Sequence, residues 1–318
     1  MNSRTLALKR AFQPVSSLLF KLFRYLLLLG VGYFAVFPVL EMISGSLKTA
    51  DELLAANTVY IPNDPTFGNY VEAWGYINYW KHFLITLYYA GISTVIQVII
   101  CSLVGYGLGR YQFKGNSIVF LCVLFTIIMP LQTIQIPSYY QYRWFDFFGI
   151  GKLVGLVTGT PLTLNLGQHY LNYFVAALFG VGLNSGIYIF LYRQFFAGMP
   201  RDLEEAAKID GCGPFNIYLR IMVPNIVPVV VTVALLSMVY YWNDTLIASM
   251  SNLGNNSPLL MAIKDSMNIM VGTKEKTDME MRVLHHALEV MAIMPLMGVV
   301  IVCQKFFVEC MDRSGSKG

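Results

Sequence analysis

Long runs without a charged residue are the dominant pattern of this 318-residue chain. A membrane core about 30 Å thick takes roughly 20 apolar residues as a helix, because every backbone polar group must be satisfied inside the segment. Counting such runs predicts spans at residues 25–40, 83–109, 115–142, 170–192, 221–243 and 287–304. The pattern therefore predicts an all-α integral membrane protein with six transmembrane helices and both termini on one side.

The few charges indicate which side each connecting segment occupies. With the N-terminus inside, the 22 Lys and Arg residues divide into 14 inside and 8 outside, and the 18 acidic residues into 6 inside and 12 outside. Amphipathic indole rings favour the membrane surface, and the four tryptophans fall near predicted outer ends: Trp74, Trp80, Trp144 and Trp242. Both termini are therefore predicted to be cytoplasmic, and the net charge of +4 records orientation.

Composition agrees with this picture and excludes several classes of protein. Hydrophobic residues make up 56% and charged residues 13%, with a mean hydropathy of +0.57, whereas soluble domains are nearer a quarter charged. No basic run is long enough to track a phosphate backbone, so nucleic acid is not an expected partner. The five cysteines are scattered, so neither a disulfide framework nor a metal set is expected.

The longest predicted inner loop, residues 193–220, holds the densest inner cluster of charges. Pro200 suits a first helical position, and Gly211 suits a left-handed stop. Between them lie acidic residues, favoured at a helix start, and then strong helix formers: Asp202, Glu204, Glu205, Ala206, Ala207 and Lys208. We predict a helix at about 200–211. Pro224 cannot donate to the carbonyl of Arg220 and is predicted to bend the start of the fifth span.

This loop resembles the EAA signature of ATP-binding-cassette importer permeases. The matching residues are Glu205-Ala206-Ala207, Gly211, Ile221 and Val223-Pro224, with valine where leucine is usual. Other matching segments are Tyr106–Gly115, Met129-Pro130, Ile136-Pro137, Leu191–Phe196 and Trp242-Asn243-Asp244. Together they are similar to the carbohydrate-uptake branch, of the maltose type with a short N-terminus, over about residues 80–310.

The resemblance implies the type I importer permease fold and a non-catalytic subunit in a bacterial cell membrane. Two cytoplasmic ATPase subunits would bind ATP and Mg, so no cofactor is expected in this chain. The helix at 200–211 would dock on an ATPase subunit as a coupling helix. The implied contact positions are Glu204, Glu205, Ala206, Ala207, Asp210 and Gly211, with Pro214 and Pro224 as hinges. The other implied partners are a second homologous permease, an extracytoplasmic solute-binding protein and membrane lipid.

These features divide the chain into four parts. Residues 1–24 are predicted to form a cytoplasmic tail with an amphipathic lead-in, and residues 25–80 the first helix and an outer segment. Residues 81–310 are predicted to form the permease domain, and residues 311–318 a cytoplasmic tail. The outer segments 143–169 and 244–286 depart from the family pattern.

Gly105 with Gly109, and Gly182 with Gly186, predict close helix packing.

The substrate remains open at this stage. The branch resemblance favours a carbohydrate, in particular an oligosaccharide, while a glycerophosphodiester or a peptide, a channel or a membrane enzyme are alternatives. Aromatic rings stack on sugars, so a substrate path is predicted at Tyr139, Trp144, Trp242 and Asn243. The alternative is that the aromatic rings form a belt at the membrane surface, which explains them equally well. His285, His286 and Glu289 have spacings that suit either a cation site or polar anchors at a helix end.

Overall fold

The computed structural model describes residues 3–54, 60–146, 149–167, 170–251, 253–273 and 276–315. The chain divides into two units, Met1–Ala73 with Met270–Met291, and Trp74–Ile269 with Ala292–Gly318. Across the described ranges the regular structure is helical, and an isolated antiparallel bridge joins Phe145 to Leu164.

The first unit begins with a long helix followed by short ones: α1 (Ser3–Leu47), α2 (Ala50–Leu54) and most of α3 (Gly68–Tyr76). Hydrogen bonds tie the end of α1 to α3. The hydroxyls of Ser46 and Tyr70 lie 2.6 Å apart, and the Asn69 amide donates to the carbonyls of Ser46 and Lys48 at 2.8 and 2.9 Å. The apolar side chains of α1 from Phe20 onward are largely exposed, so lipid or another subunit must cover them.

The remaining helices, in chain order, are α4 (Tyr79–Arg110), α5 (Asn116–Ile128), α6 (Leu131–Arg143), α7 (Ile150–Thr158), α8 (Leu171–Leu178), α9 (Ser185–Gly198), α10 (Asp202–Ile209), α11 (Pro214–Ile217), α12 (Val223–Asn225), α13 (Val227–Asn243), α14 (Leu246–Met250), α15 (Leu259–Thr273) and α16 (Asp278–Gly315). A π-helical turn, Tyr218–Met222, precedes α12, and a 3₁₀ turn, Gly254–Asn256, precedes α15. The core of the second unit forms where α8, α9 and α13 pack on α4.

The contact between α4 and α9 is close enough to require glycine. A Cβ atom added at Gly105 would lie 2.5 Å from the Cβ of Tyr192, and one at Gly109 would lie 3.0 Å from the carbonyl oxygen of Arg193. Both distances are too short for ordinary van der Waals contact. The predicted role of Gly105 and Gly109 in close packing is therefore confirmed.

Two predicted spans are wrong as continuous helices. Residues 115–142 form α5 and α6, which meet at 107° across Met129-Pro130, because a residue before proline is driven out of the helical region and Met129 is extended. Residues 170–192 form α8 and α9, separated at 179–184, where Gly180 and Asn184 adopt positive φ angles.

The described helices that are long and apolar enough to cross a membrane are Phe20–Leu47, Tyr79–Arg110, Val227–Met250 and Asp278–Phe306. The bent pair α5 and α6 would count as a fifth span. Within the described residues, length and composition alone therefore account for four or five of the six predicted spans.

Candidate coupling helix and cavity

The short helix α10 lies in the loop between α9 and α11. It begins at Asp202 instead of Pro200, because the N–H groups of Glu204 and Glu205 donate to the carbonyl of Arg201 at 2.9 and 3.1 Å and make Arg201 the cap. Gly211 has a φ of +78°, which confirms the predicted left-handed stop. The predicted helix is therefore present, with a start two residues later than expected.

Helix α10 has two faces with different surroundings. Ala207 is 4% exposed and belongs to the hydrophobic core of the second unit. Glu204 also points inward and is largely buried. Leu203, Lys208 and Ile209 are exposed, and so are four of the predicted contact positions: Glu205, Ala206, Asp210 and Gly211. Of the residues predicted to meet an ATPase, these four are accessible, whereas Glu204 and Ala207 are held inside the chain.

Arg110, at the end of α4, binds α10 and the segment that precedes it. Its Nε donates to a Glu204 carboxylate oxygen at 2.8 Å, and the two side chains are 4% and 12% exposed. The terminal guanidinium nitrogens donate to the carbonyls of Met199 at 2.8 Å, Phe196 at 3.2 Å and Pro200 at 3.3 Å. Because a guanidinium presents several donors in a rigid fork, one side chain joins α4 to the end of α9 and to α10. We call these residues the Arg110 clamp.

Two tyrosines extend the Arg110 clamp toward the next helix. The Tyr106 hydroxyl donates to the Glu204 carboxylate at 3.3 Å, and its ring lies 5.2 Å from the Tyr218 ring. The Tyr218 hydroxyl donates to the Ser102 hydroxyl at 2.9 Å. Burial raises the pKa of the Tyr218 hydroxyl above its ordinary value. The π-helical turn is thereby attached to α4.

The segment that carries both predicted hinges is irregular. Pro214 occupies the first turn of α11, as proline prefers. The chain then passes through the π-helical turn, and Pro224 lies in the short α12. The turn ends with the Val223 N–H donating to the Tyr218 carbonyl, and Ile226 leaves the helical region with φ −113° and ψ 18°. Regular helix resumes at Val227, later than the predicted start of the span at 221.

A cavity of about 320 Å³ lies in the second unit beside the two helix breaks. Of the four residues predicted on a substrate path, Tyr139 lines it and the other three do not. Trp144 is 56% exposed and stacks on Tyr140. Asn243 is exposed, and its amide donates to the carbonyl of Val239 at 2.9 Å.

Trp242 lies near the end of α13, but its indole is buried in the protein and is not exposed as part of a belt at the membrane surface. The side chain is 3% exposed, its Nε1 donates to the carbonyl of Ala292 at 3.2 Å, and the Phe83 ring meets it edge-on at 5.9 Å. A buried indole satisfies its donor inside the protein instead of at the headgroups.

Two buried polar residues beside the cavity were not predicted as site residues, and Asp244 appeared only within the matching segment Trp242-Asn243-Asp244. Asp244, 8% exposed, accepts a hydrogen bond from Tyr173 at 2.5 Å and one from Gln135 at 3.4 Å, so it links α13 to α8 and α6. Gln97 on α4 donates to the Leu183 carbonyl at 2.7 Å and to Ser185 at 2.8 Å. Gln97 lies inside a predicted span, which was the available signal, whereas Asp244 directly follows one. The pairing partners of both residues are distant in sequence.

In the first unit, Glu289 pairs with two histidines of the preceding turn of α16. Its carboxylate is 3.1 Å from Nε2 of His285 and 3.5 Å from Nδ1 of His286. Nowhere among the described residues do three or more acidic, histidine or cysteine side chains form a group that could hold a metal ion.

The comparisons with known proteins decide the family. Residues 101–307 match the family described as binding-protein-dependent transport system inner membrane component. The chain belongs to this family. The permease is therefore a multi-pass, non-catalytic membrane subunit, and membership implies a second permease, an ATPase and a binding protein as partners. The predicted resemblance to importer permeases is confirmed.

Several relatives of the permease are named for carbohydrates. The arabinooligosaccharides transport system permease protein AraQ of Bacillus subtilis is 27% identical over 292 residues, covering 89% of this chain and 91% of that protein. The probable starch degradation products transport system permease protein AmyC of Thermoanaerobacterium thermosulfurigenes is 30% identical and covers 67% of this chain and 69% of that protein.

A solved structure shares the fold of the permease. It is a crystal structure of a bacterial ABC transporter involved in the import of the acidic polysaccharide alginate, with a TM-score of 0.69 at 21% identity. The match covers 92% of this chain and 98% of the other chain. The predicted type I importer permease fold is thereby confirmed.

Proposed function

We propose that this chain forms half of the translocation path of an ATP-driven, binding-protein-dependent importer for an oligosaccharide. The names of the relatives support the carbohydrate class. The observation that carries the coupling part of the proposal is the Arg110 clamp, which holds α10 against α4 and α9 while one face of α10 stays exposed. A short helix that is fixed on one side and open on the other suits the transfer of motion from a partner.

The exposed positions Glu205, Ala206, Asp210 and Gly211 are proposed to contact a cytoplasmic ATPase subunit. Glu204 and Ala207 are proposed as positioning residues, because their side chains face into the permease. Two ATPase subunits would bind ATP and Mg and drive a paired permease of the same kind. Motion of α10 would pass to α4 through Arg110, and to α13 through the segment with Pro214 and Pro224.

The chain is proposed to lie in a bacterial cell membrane with both termini in the cytoplasm, in contact with lipid. An extracytoplasmic solute-binding protein would deliver the sugar from the opposite side. The distribution of basic residues supports this orientation, because 14 of 22 fall in the proposed inner segments.

The coupling proposal is tested by Gly211→Trp. A Cβ at Gly211 would meet no heavy atom within 4 Å, so the indole would project from the proposed contact face. We expect ATP-dependent uptake by reconstituted vesicles to be abolished while the subunit still inserts and assembles. Gly159→Trp is the matched control, because Gly159 also has a positive φ, of +81°, and open surroundings but lies after α7. Uptake that survives Gly211→Trp would contradict the docking role.

A further inference from the structure

The cavity lies where two helices of the second unit are interrupted. Its lining includes Met129 and Leu131 from the bend between α5 and α6, and residues 180–184 from the break between α8 and α9. Irregular backbone is costly in a membrane, because its N–H and C=O groups lose their helical partners, and it is tolerated where it lines a cavity or is buried in protein. Two breaks that meet at one cavity therefore indicate a site for a polar ligand.

Two asparagines on the cavity wall hold amide atoms with no hydrogen-bond partner among the described residues. Asn172 is 3% exposed, and its Oδ1 accepts no hydrogen bond; Nδ2 of Asn184 donates none. Buried polar atoms are nearly always paired, since an unpaired one costs about 1–3 kcal/mol. Asn184 also has a φ of +56°, a region that non-glycine residues occupy at some cost. The hydroxyl of Tyr241, which also lines the cavity, has no partner in the described part of the chain either, so the wall holds three unpaired polar groups.

The charge of the lining restricts the ligand. Among the described residues that line the cavity there is no Asp, Glu, Lys, Arg or His. Each break places one helix carboxyl end and one helix amino end beside the cavity: α5 and α8 end there, and α6 and α9 begin there. The opposed macrodipole ends offset one another, so neither an anion nor a cation is favoured.

The remaining lining suits a carbohydrate ring in shape and size. Aromatic rings come from Tyr139, Tyr142, Tyr173 and Tyr241, and the apolar C–H face of a sugar packs on such rings. The volume of about 320 Å³ is at the low end of the range of roughly 300–1,000 Å³ for small-molecule sites. One ring fits this space better than a whole oligosaccharide.

We infer that this cavity binds one uncharged sugar ring of the transported chain, with the Asn172 carbonyl and the Asn184 amide pairing with its hydroxyl groups. The inference rests on the proposed function, and it adds that the permease itself discriminates against uronic acid units. A carboxylate in this cavity would lose its hydration without meeting a cation.

The test uses the whole importer in vesicles with saturating binding protein. The probes are arabinotriose and maltotriose as neutral sugars and trigalacturonate as an acidic sugar. We expect faster ATP-dependent uptake of a neutral probe than of trigalacturonate. Asn172→Leu and Asn184→Leu should each lower neutral uptake about three- to tenfold, the effect of losing one hydrogen bond. Asn268→Leu, the same change at an exposed position on α15, should leave it unaltered.

The thermal unfolding midpoint separates a ligand role from a structural one. If Asn172 served only the fold, its replacement by leucine would lower the midpoint, and uptake would fall only in proportion to the loss of folded subunit. Uptake that falls while the midpoint stays at the wild-type value supports the ligand role. Wild-type uptake in both variants, or equal uptake of trigalacturonate and the neutral probes, would overturn the inference. The same binding protein is used with every variant, so a difference in uptake between variants is assigned to the permease. Survival of uptake in Gly211→Trp, or no uptake of any probe by the wild type, would instead refute the proposed function.

Discussion

Replacing Arg110 by methionine removes the guanidinium of the Arg110 clamp while keeping most of the side-chain length. The change deletes the ion pair with Glu204 and the hydrogen bonds to the carbonyls of Phe196, Met199 and Pro200. Glu204 then keeps one partner in the clamp, the hydroxyl of Tyr106. A carboxylate that is 12% exposed cannot recover full hydration without moving away from its position.

The cost of Arg110→Met follows from burial. Breaking one side of a buried ion pair costs about 3–5 kcal/mol, because the other charge stays behind without a partner. Since each 1.4 kcal/mol is a factor of ten, the ratio of docked to released α10 should fall roughly 100- to 4,000-fold. Most importers would then hydrolyse ATP without moving α4, and we expect uptake to fall at least tenfold.

The assay compares binding-protein-stimulated ATP hydrolysis with sugar uptake in the same vesicles. Arg110→Met should lower uptake far more than hydrolysis and should also lower the thermal unfolding midpoint. The double variant Arg110→Met/Glu204→Gln should recover part of the midpoint, because the orphaned charge is gone. Lys152→Met is the control, since its Nζ lies 3.7 Å from Asp146 and its side chain is 82% exposed, where an ion pair contributes little.

Two outcomes would refute the reasoning. If Arg110→Met kept wild-type uptake and unfolding midpoint, the clamp would not hold α10 in the working importer. If the double variant were less stable than Arg110→Met by the full cost of a second buried loss, the two side chains would act independently instead of as a pair.

Two further predictions concern packing and buried polarity. Gly105→Ala should lower the unfolding midpoint, because the added Cβ forces α4 away from α9. Gly107→Ala is the control, because its Cβ would meet no heavy atom within 4 Å. Equal midpoints for the two variants would contradict the close contact. Tyr173→Phe should lower the free energy of unfolding by about 1.5–3 kcal/mol, because the hydrogen bond to Asp244 is lost. Tyr140→Phe, at an exposed ring, should leave it unchanged. Similar unfolding midpoints for the two variants would contradict a structural role of that hydrogen bond.

The parts of the fold that local residues determine were predictable. Acidic residues, then helix formers, then Gly211 indicate α10, and each of these signals acts within a few residues. The Arg110 clamp was not predictable in the same way. Arg110 and Glu204 are 94 residues apart, and the sequence around one residue does not identify the other as its partner. The sequence could identify both as charges at predicted inner ends, but the packing of α4 on α9 and α10 brings them together.

The broken spans show a second limit. A charge-free run measures how apolar a segment is, and it does not measure whether the segment stays straight. Met129-Pro130 was visible as a local bend signal, yet the run continued through it and was counted as one helix. The break at Gly180 to Asn184 has a weaker signal, since glycine is common in membrane helices. The cavity depends on both breaks, and it was therefore hidden from the sequence apart from Tyr139.

Helix α4 has the proportions of a lever. Its 32 residues make a rod about 48 Å long at 1.5 Å per residue. Arg110 lies at one end, and near the other Thr86 accepts the N–H of Leu259 and Tyr89 donates to the carbonyl of Tyr241. A tilt of about 10° about the Arg110 end would swing the far end by roughly 8 Å. A small displacement of α10 would thus become a movement the size of a sugar ring at the opposite end of the second unit.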